Sequence, residues 1–327
     1  MTFRTGIIGG GGIGAAHAKA YQASPQTELV GVADVTAELA KTAADRWQVA
    51  WSGTVEQLLA RPDVDIVSIC TPPSSHAELA QAALAAGKHV LLEKPIAASL
   101  EAADRLVAAA EASDRTLMVA HSHRFWAANV RVKQLLDEGA IGRLLSINDE
   151  IFSELRAGAG PLPWRLQKAI AGGGVVLDNG VHALDRLRWW VGAPAVKVFA
   201  NVRTVEDKID VENNGEALIV FANGVSATLR VSTTAIPEAG RCRAEFLGTE
   251  GAIRMETWGK VELAQRNQGW REVPFSGPDA FLAEVEAFCA AIQSKQAPPV
   301  TARMGREALA LVQAVYDSSR SGQVVVL

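Results

Sequence analysis

The sequence predicts an α/β protein with a doubly wound parallel sheet near its N-terminus and a large, mostly antiparallel open sheet in a second domain. Over the first third of the 327 residues, short apolar runs alternate with helical patterns, which is typical of the βαβ units of a parallel sheet. After residue 122, strand-like runs follow one another with few helices between them. We therefore expect two domains, spanning residues 1–122 and 123–327.

The strands predicted for the first domain are apolar throughout, without alternation between apolar and polar residues. This pattern is expected where helices cover both faces of a sheet, and the crossovers between such strands are right-handed. The predicted strands are Phe3–Gly9, Glu28–Asp34, Val64–Cys70, His89–Leu92 and Thr116–Ala120. The predicted helices are Gly14–Ala23, Thr36–Trp47, Ser74–Ala86 and Leu100–Ser113.

The second domain is predicted to hold one open sheet with helices on one of its faces. The pair Asn223-Gly224 between two strand-like runs is a strong signal for a β-hairpin, and Gly248–Gly251 has the composition of another turn. Strands are predicted at Leu144–Phe152, Ala195–Arg203, Glu216–Ala222, Val225–Thr233, Arg241–Leu247, Ala252–Glu256 and Val261–Gln265. Helices are predicted at Val130–Glu138, Val175–Val191, Asp279–Ser294 and Thr301–Ser319.

Composition and charge exclude several classes of protein. Hydrophobic residues make up 49% and charged residues 21% of the chain, as in an ordinary globular protein. The net charge of −4 gives no electrostatic reason to expect nucleic acid or an anionic membrane as a partner. Three scattered cysteines indicate neither a disulfide framework nor a zinc site. Since no apolar run is long enough for a membrane span or a secretory signal, we expect a cytoplasmic protein.

A glycine-rich loop, Gly9-Gly10-Gly11-Gly12-Ile13-Gly14, follows the first predicted strand and opens the first helix. It contains the pattern G-x-G-x-x-G at Gly9, Gly11 and Gly14, which permits a tight turn, close approach of the backbone to a pyrophosphate, and close helix–strand packing. The helix N-terminus adds free N–H groups and a positive dipole end. The alternative is a plain tight turn, but the strand–loop–helix context favours dinucleotide binding, with Gly12 and Ile13 also at the cofactor.

Asp34 ends the second predicted strand, 20 residues after Gly14. An acid at this place can accept hydrogen bonds from the ribose hydroxyls of a dinucleotide. The alternative is that Asp34 caps the helix Thr36–Trp47. A carboxylate here would repel the 2′-phosphate of NADP, and the next four residues include no basic group. The sequence therefore favours NAD over NADP.

Three further residues have side chains suited to catalysis. Lys94 follows a predicted strand, at the edge of the sheet where α/β folds bind ligands; the alternative is a surface lysine. Asp178 and His182 are four residues apart in a predicted helix and would share a face, which suits acid/base chemistry near neutral pH. The alternatives are a structural contact or half of a metal site. Because no compact His/Cys cluster accompanies the pair, we expect no metal.

Taken together, these motifs are recognisable by their order and spacing. The chain resembles the glucose–fructose oxidoreductase / inositol dehydrogenase / rhizopine catabolism (Gfo/Idh/MocA) family over essentially its whole length. The matching segments are Gly6–Ala20 with His17 and Ala20, Cys70–His76, Glu93-Lys94-Pro95, Arg124-Phe125, Gly139–Gly142, Trp164-Arg165 and the Gly-rich segment with Asp178 and His182.

The resemblance implies a fold and a set of roles. It implies a Rossmann domain followed by a domain with a large open sheet, and a homodimer or homotetramer formed through that sheet. It implies that Lys94, Asp178 and His182 surround the nicotinamide ring, and that Thr71, Pro72 and His76 lie along the cofactor with Glu93 near the nicotinamide ribose. Trp164 and Arg165 correspond to a region that lines the substrate pocket, and Arg124 to the domain junction. For these three residues the alternatives are structural: Trp164 as a core aromatic, Arg165 as a helix-end cap, and Arg124 as a structural arginine.

The function implied is an oxidoreductase that transfers a hydride between NAD(H) and a CH–OH or C=O carbon of a sugar, inositol or related polyol. His182 would take the hydroxyl proton, Lys94 would bind the same oxygen, and Asp178 would orient His182 or bind the substrate. The segment Phe152–Pro163 would form a loop near the pocket. Two alternatives remain open: an NAD-dependent glycosidase that works by transient oxidation and elimination, and a non-catalytic nucleotide-binding regulator of the same fold.

Overall fold

The structure is a computed structural model that describes residues 2–155, 157 and 162–327. Its strands are β1 (Phe3–Ile8), β2 (Thr27–Ala33), β3 (Ser52–Gly53), β4 (Ile66–Ile69), β5 (His89–Glu93), β6 (Leu117–Ala120), β7 (Leu144–Phe152), β8 (Ala195–Arg203), β9 (Asn214–Phe221), β10 (Ser226–Ser232), β11 (Arg241–Gly248), β12 (Gly251–Glu256), β13 (Val261–Gln265), β14 (Gln268–Glu272) and β15 (Val325–Val326). Its α-helices are α1 (Gly12–Ala23), α2 (Ala37–Trp47), α3 (Val55–Leu59), α4 (His76–Ala85), α5 (Leu100–Glu111), α6 (Ala127–Asp137), α7 (Lys168–Ala171), α8 (Val181–Val191), α9 (Ala280–Ser294) and α10 (Ala302–Ser321).

The chain divides into two compact units. One contains Met1–Ser122 and Pro278–Glu307, and the other contains His123–Gly277 and Ala308–Leu327. Pro278–Glu307, which the sequence predicts to lie in the second domain, belongs to the first unit, where α9 packs on α1. None of the described helices is long and apolar enough to cross a membrane.

The first unit contains a parallel sheet with the strand order β3-β2-β1-β4-β5-β6. This confirms the predicted doubly wound sheet, in which the order reverses between β1 and β4 and creates a crevice at the carboxyl ends of these strands. The central strands are fully buried, as the side chains of Ile7, Val67 and Leu91 show. The short β3 and α3 were not predicted, because two strand residues and five helix residues give no periodic pattern.

The second unit contains a sheet whose described strands have the order β14-β13-β12-β11-β7-β10-β9-β8-β15. Every neighbouring pair is antiparallel except β7 and β10, which are parallel. Helices α6 and α8 pack against it. The predicted hairpin at Asn223-Gly224 is confirmed, since β9 and β10 pair across it and Gly224 has a φ of +85°. The mostly antiparallel sheet is therefore as predicted.

A buried carboxyl group in α9 yields a prediction about stability. Glu284 is fully buried, and neither of its carboxyl oxygens has a hydrogen-bond partner among the described residues. Burial, and to a smaller extent the charge of Glu93, raises the pKa of Glu284 well above its usual value. The unfolded chain releases this proton at a lower pH than the folded protein does. The free energy of unfolding therefore falls as the pH rises above the ordinary carboxyl pKa.

We expect Glu284→Met to raise the free energy of unfolding by about 1–3 kcal/mol at roughly pH 8, the usual cost of an unsatisfied buried polar group. The gain should shrink as the pH falls towards roughly 4, below the ordinary carboxyl pKa, where the carboxyl group is largely protonated in both states. Urea denaturation at both pH values measures this difference. The control is Glu286→Met, a partly exposed acid on the same helix. An equal change in both variants, or a loss of stability in Glu284→Met at the higher pH, would contradict the prediction.

Candidate active site

The glycine-rich loop connects β1 to α1 at the carboxyl edge of the parallel sheet. Gly9 has a φ of +107°, and a Cβ there would lie 2.6 Å from the carbonyl oxygen of Cys70. A Cβ on Gly14 would overlap the carbonyl oxygen of Gly9. At Gly11 and Gly12, by contrast, no described atom lies within 4 Å of where a Cβ would be. The loop is thus tight where it packs and open where a phosphate would approach its backbone.

The N-terminus of α1 also suits an anion. Its N-cap is Gly11, no described side chain caps it, and its first turn has no acidic residue. The first N–H groups of a helix are therefore left for a ligand, and the helix dipole adds positive potential there. A pyrophosphate fits these residues, including Gly12 and Ile13 in the first turn.

Asp34 lies beside this loop at the end of β2. Its Oδ2 accepts a hydrogen bond from the Gly10 N–H at 2.7 Å, and its Oδ1 accepts one from the Val35 N–H at 2.7 Å. The N-cap of α2 is instead Thr36, whose hydroxyl accepts from the Leu39 N–H. The capping alternative for Asp34 is therefore not what the structure shows. Each carboxylate oxygen keeps a further lone pair for a ribose hydroxyl.

The segment Cys70–His76, which follows β4, is held in place by hydrogen bonds from its own side chains. The Ser75 hydroxyl donates to the Thr71 hydroxyl at 2.7 Å and lies 2.9 Å from the Pro72 carbonyl oxygen. The ring nitrogens of His76 contact two carbonyl oxygens, that of Thr71 at 2.8 Å and that of Pro95 at 2.7 Å. Burial lowers the pKa of His76 despite these acceptors. His76 is fully buried, so it links the segment at Thr71 to the one at Pro95.

Glu93, the last residue of β5, belongs to a buried chain of polar side chains. Its Oε1 contacts Nε2 of His17 at 3.1 Å, and its Oε2 accepts from the Lys94 N–H at 3.2 Å. Nδ1 of His17 contacts the Ser68 hydroxyl, which bonds to the Tyr21 hydroxyl. Burial acts to raise the pKa of Glu93, but the hydrogen bond and charge of His17, with smaller effects of Lys94 and His76, hold it below its usual value. An ionised Glu93 thus fixes the backbone at the half-buried Lys94.

This chain of contacts is not predicted by the sequence. His17 stands at a position typical of the family, and Ser68 and Tyr21 belong to no motif. The signal that could have predicted these contacts is the presence of polar residues within otherwise apolar strands and helices, because a buried polar group needs a hydrogen-bond partner.

In the second unit, Asp178 and His182 lie on either side of a change in helix type. Asp178 is in a π-helical segment, Val176–Gly180, and His182 is in the first turn of α8. The sequence predicted a regular helix here, in which residues four apart share a face. The π-helical hydrogen-bond pattern widens the turn, so that spacing does not apply, and such segments are frequent at functional sites.

Trp164, Arg165 and Asp178 lie together. The Arg165 guanidinium is 4.7 Å from the centre of the Trp164 ring, and its Nε is 3.4 Å from Oδ2 of Asp178. Both charged side chains are partly exposed, Arg165 by 46% and Asp178 by 27%. An aromatic face, a cation and a carboxylate are thus presented to solvent as one group.

Arg124 and His123 contact α8. Arg124 binds Asp185 through Nε and Nη2, both at 2.7 Å, and Asp185 is fully buried. The predicted substrate residue Arg124 therefore has a structural partner in its own unit. His123 stacks on His182 with ring centres 4.2 Å apart. In the segment Phe152–Pro163, Arg156, Gly158 and Gly160 lie outside the described residues.

Comparison with known proteins agrees with this geometry. Residues 3–121 match a family model described as an oxidoreductase family with an NAD-binding Rossmann fold, and residues 129–254 match the model of the GFO/IDH/MocA C-terminal domain. The chain belongs to the GFO/IDH/MocA oxidoreductase family.

Two relatives and one solved structure illustrate the relationship. Levoglucosan dehydrogenase of Pseudarthrobacter phenanthrenivorans is 32% identical over 77% of this chain and 73% of its own length. D-xylose 1-dehydrogenase [NADP(+)] of Haloarcula marismortui is 29% identical over 88% of this chain and 82% of its own. A structure of levoglucosan dehydrogenase in complex with NADH and levoglucosan superposes with a TM-score of 0.94 at 28% identity, covering 100% of this chain and 99% of that one.

Proposed function

We propose that this GFO/IDH/MocA protein is an NAD-dependent dehydrogenase or reductase that transfers a hydride between nicotinamide and a CH–OH or C=O carbon of a sugar, inositol or related polyol. The observation that carries the proposal is the presence of Lys94, Asp178 and His182 together in a chain whose glycine-rich loop and Asp34 fit a dinucleotide. A nucleotide-binding regulator has no need of this set of side chains.

Each of the three residues has a role in the oxidation of an alcohol. Bound NAD⁺ supplies the hydride acceptor. His182 takes the proton of the substrate hydroxyl, and Lys94 donates a hydrogen bond to the same oxygen and stabilises negative charge that develops on it. Asp178 orients His182 or binds the substrate. Its ion pair with the partly exposed Arg165 supports the second of these roles.

The group formed by Trp164, Arg165 and Asp178 supports a polyhydroxylated substrate. The C–H face of a sugar ring packs on an aromatic side chain, and neighbouring hydroxyls can donate to a carboxylate and accept from a guanidinium. The two relatives described above are named for sugar substrates.

The test is an assay of purified protein with NAD⁺ or NADP⁺ and a panel of inositols, aldoses and other polyols, monitored by the absorbance of reduced nicotinamide. Formation of NADH with one substrate class would support the proposal. No turnover in either direction on this panel or on keto-sugars, with tight NAD binding, would contradict it and favour a regulator. Release of nitrophenol from a nitrophenyl glycoside by protein that retains NAD would favour the glycosidase.

The choice between NAD and NADP yields a prediction at Asp34. Asp34→Asn keeps the shape of the side chain and removes the charge that repels a 2′-phosphate. We expect the ratio of kcat/KM with NAD to that with NADP to fall about 10- to 100-fold, the effect of one charge-assisted hydrogen bond.

Steady-state kinetics with both cofactors measures this ratio. Asp45→Asn is the matched control, because it removes a charge from α2 that lies 67% exposed in an ion pair with Lys41. An unchanged cofactor ratio in folded Asp34→Asn would show that Asp34 does not set the preference.

We also propose that the protein is a cytoplasmic homodimer or homotetramer formed through the sheet of the second unit. Large apolar side chains on this sheet are exposed, among them Phe199, Leu218 and Leu247. Phe199 and Leu218 are cross-strand partners and so form a continuous patch. Light scattering after size-exclusion chromatography tests this, and a monomer at micromolar concentration would contradict it.

A further inference from the structure

The ring of His182 lies on the ring of another histidine. The imidazoles of His123 and His182 are stacked, with centres 4.2 Å apart and planes only 13° apart. Both side chains are at least nine-tenths buried. His123 comes from the short 3-10 turn before α6, and Asn129, which is fully buried, donates to its backbone carbonyl at 2.6 Å. This hydrogen bond holds the backbone of His123, and so helps to fix the position of the His123 ring.

A buried arginine determines the protonation of His123. Nη1 of Arg186 lies 3.1 Å from Nδ1 of His123. A guanidinium can only donate hydrogen bonds, so Nδ1 must be the acceptor and cannot carry a proton. His123 is therefore neutral, with its hydrogen on Nε2. Protonation of Nδ1 would direct two N–H groups and two positive charges at each other.

Arg186 is itself held firmly in this arrangement. It is fully buried and forms a bidentate ion pair with the buried Asp149, in which its Nε lies 2.8 Å from Oδ2. Its Nη1 also lies 3.1 Å from the Thr257 hydroxyl and 3.3 Å from the Cys242 sulfur, so its two hydrogens are shared among His123, Thr257 and Cys242. Burial acts to lower the pKa of Arg186, but Asp149, together with Cys242, raises it above its usual value. The guanidinium is thus held in its charged form.

We propose that His123 is a positioning residue for His182, acting as an uncharged aromatic platform that fixes the plane of the His182 ring. The inference rests on the proposed function, in which His182 exchanges a proton with the substrate. A base that alternates between neutral and cationic forms needs a neighbour that does not compete for the proton. A neutral ring held by Arg186 meets that need, and a neutral aromatic face also tolerates a cation stacked on it. Proton transfer depends strongly on the orientation of the base.

The experiment compares His123→Ala, which removes the platform, with His123→Phe, which keeps a ring but has no nitrogen to accept from Arg186. We expect His123→Ala to lower kcat about 10- to 100-fold, the usual effect of a misplaced catalytic group, with little change in the KM for NAD. We expect His123→Phe to retain kcat within about threefold, because the stacked ring remains. Thermal unfolding identifies any variant that fails to fold.

A second measurement does not depend on turnover. In ¹H–¹³C NMR spectra, the His182 Cε1–H signal is identified by its loss in His182→Ala. We expect this signal to move and broaden in His123→Ala and to stay sharp in His123→Phe. An unmoved His182 signal in His123→Ala would overturn the proposal.

The kinetic outcomes separate this inference from the proposed function. Normal kcat in His123→Ala, beside a large loss in His182→Ala, would overturn only this inference. An equal loss of kcat in His123→Ala and His123→Phe would show that His123 acts as an acceptor for Arg186, and would also overturn it. Near-normal turnover in His182→Ala would remove the proposed role of His182 as the base, and this inference with it, but would leave the proposed hydride transfer in place.

Discussion

Replacing His182 with alanine is expected to lower kcat about 10²- to 10⁴-fold, the range typical of a lost acid/base group. Without the imidazole, the substrate hydroxyl has to release its proton to water while the hydride leaves, and this raises the barrier of the same step. Binding of the dinucleotide should change little, because the glycine-rich loop and Asp34 lie in the first unit. Steady-state kinetics, together with NADH fluorescence for binding, measures both quantities.

His89→Ala is a suitable control for this variant. His89 opens β5, at the opposite end of the strand from Glu93, and its Nδ1 accepts from the Thr116 N–H. Burial, with the charge of Arg115, lowers its pKa to about 4, so it is neutral at the pH of the assay. His89→Ala should keep its turnover number. A folded His182→Ala protein with near-normal turnover would remove His182 from the mechanism.

Replacing Lys94 with methionine is expected to lower kcat/KM about 10²- to 10³-fold, the effect of losing one donor to a developing oxyanion. Methionine keeps much of the length of the side chain and removes the charge and the N–H groups. The hydrogen bond from the Lys94 backbone to Glu93 does not depend on the side chain, so the backbone should stay in place. We therefore expect the main loss in catalysis.

Lys19→Met is the matched control, since it makes the same change of charge at an exposed position on α1. Kinetics and urea denaturation of the two variants separate a catalytic effect from a general one. If Lys94→Met kept wild-type kcat/KM while folded, Lys94 would not contact the reacting oxygen. If it lost stability in parallel with activity, a structural role would explain the result.

The sequence by itself determined the features that depend on residues close together in the chain. Short, continuous apolar runs located the strands of the parallel sheet, because a strand buried on both faces must be apolar throughout. The glycines of the first loop were readable because the tight turn and the close helix packing require them at fixed spacing. Turn residues such as Asn223-Gly224 fixed the hairpin between β9 and β10 for the same local reason.

The tertiary structure alone decided which polar groups meet inside the protein. His17 and Glu93 are 76 residues apart, and Arg186 and His123 are 63 apart. Neither spacing leaves a trace in local periodicity. The change to a π-helix at Asp178 and the packing of α9 on α1 are likewise visible only in the tertiary structure. A buried ion or imidazole is stable only where the fold supplies its partner, and this depends on contacts between distant parts of the chain.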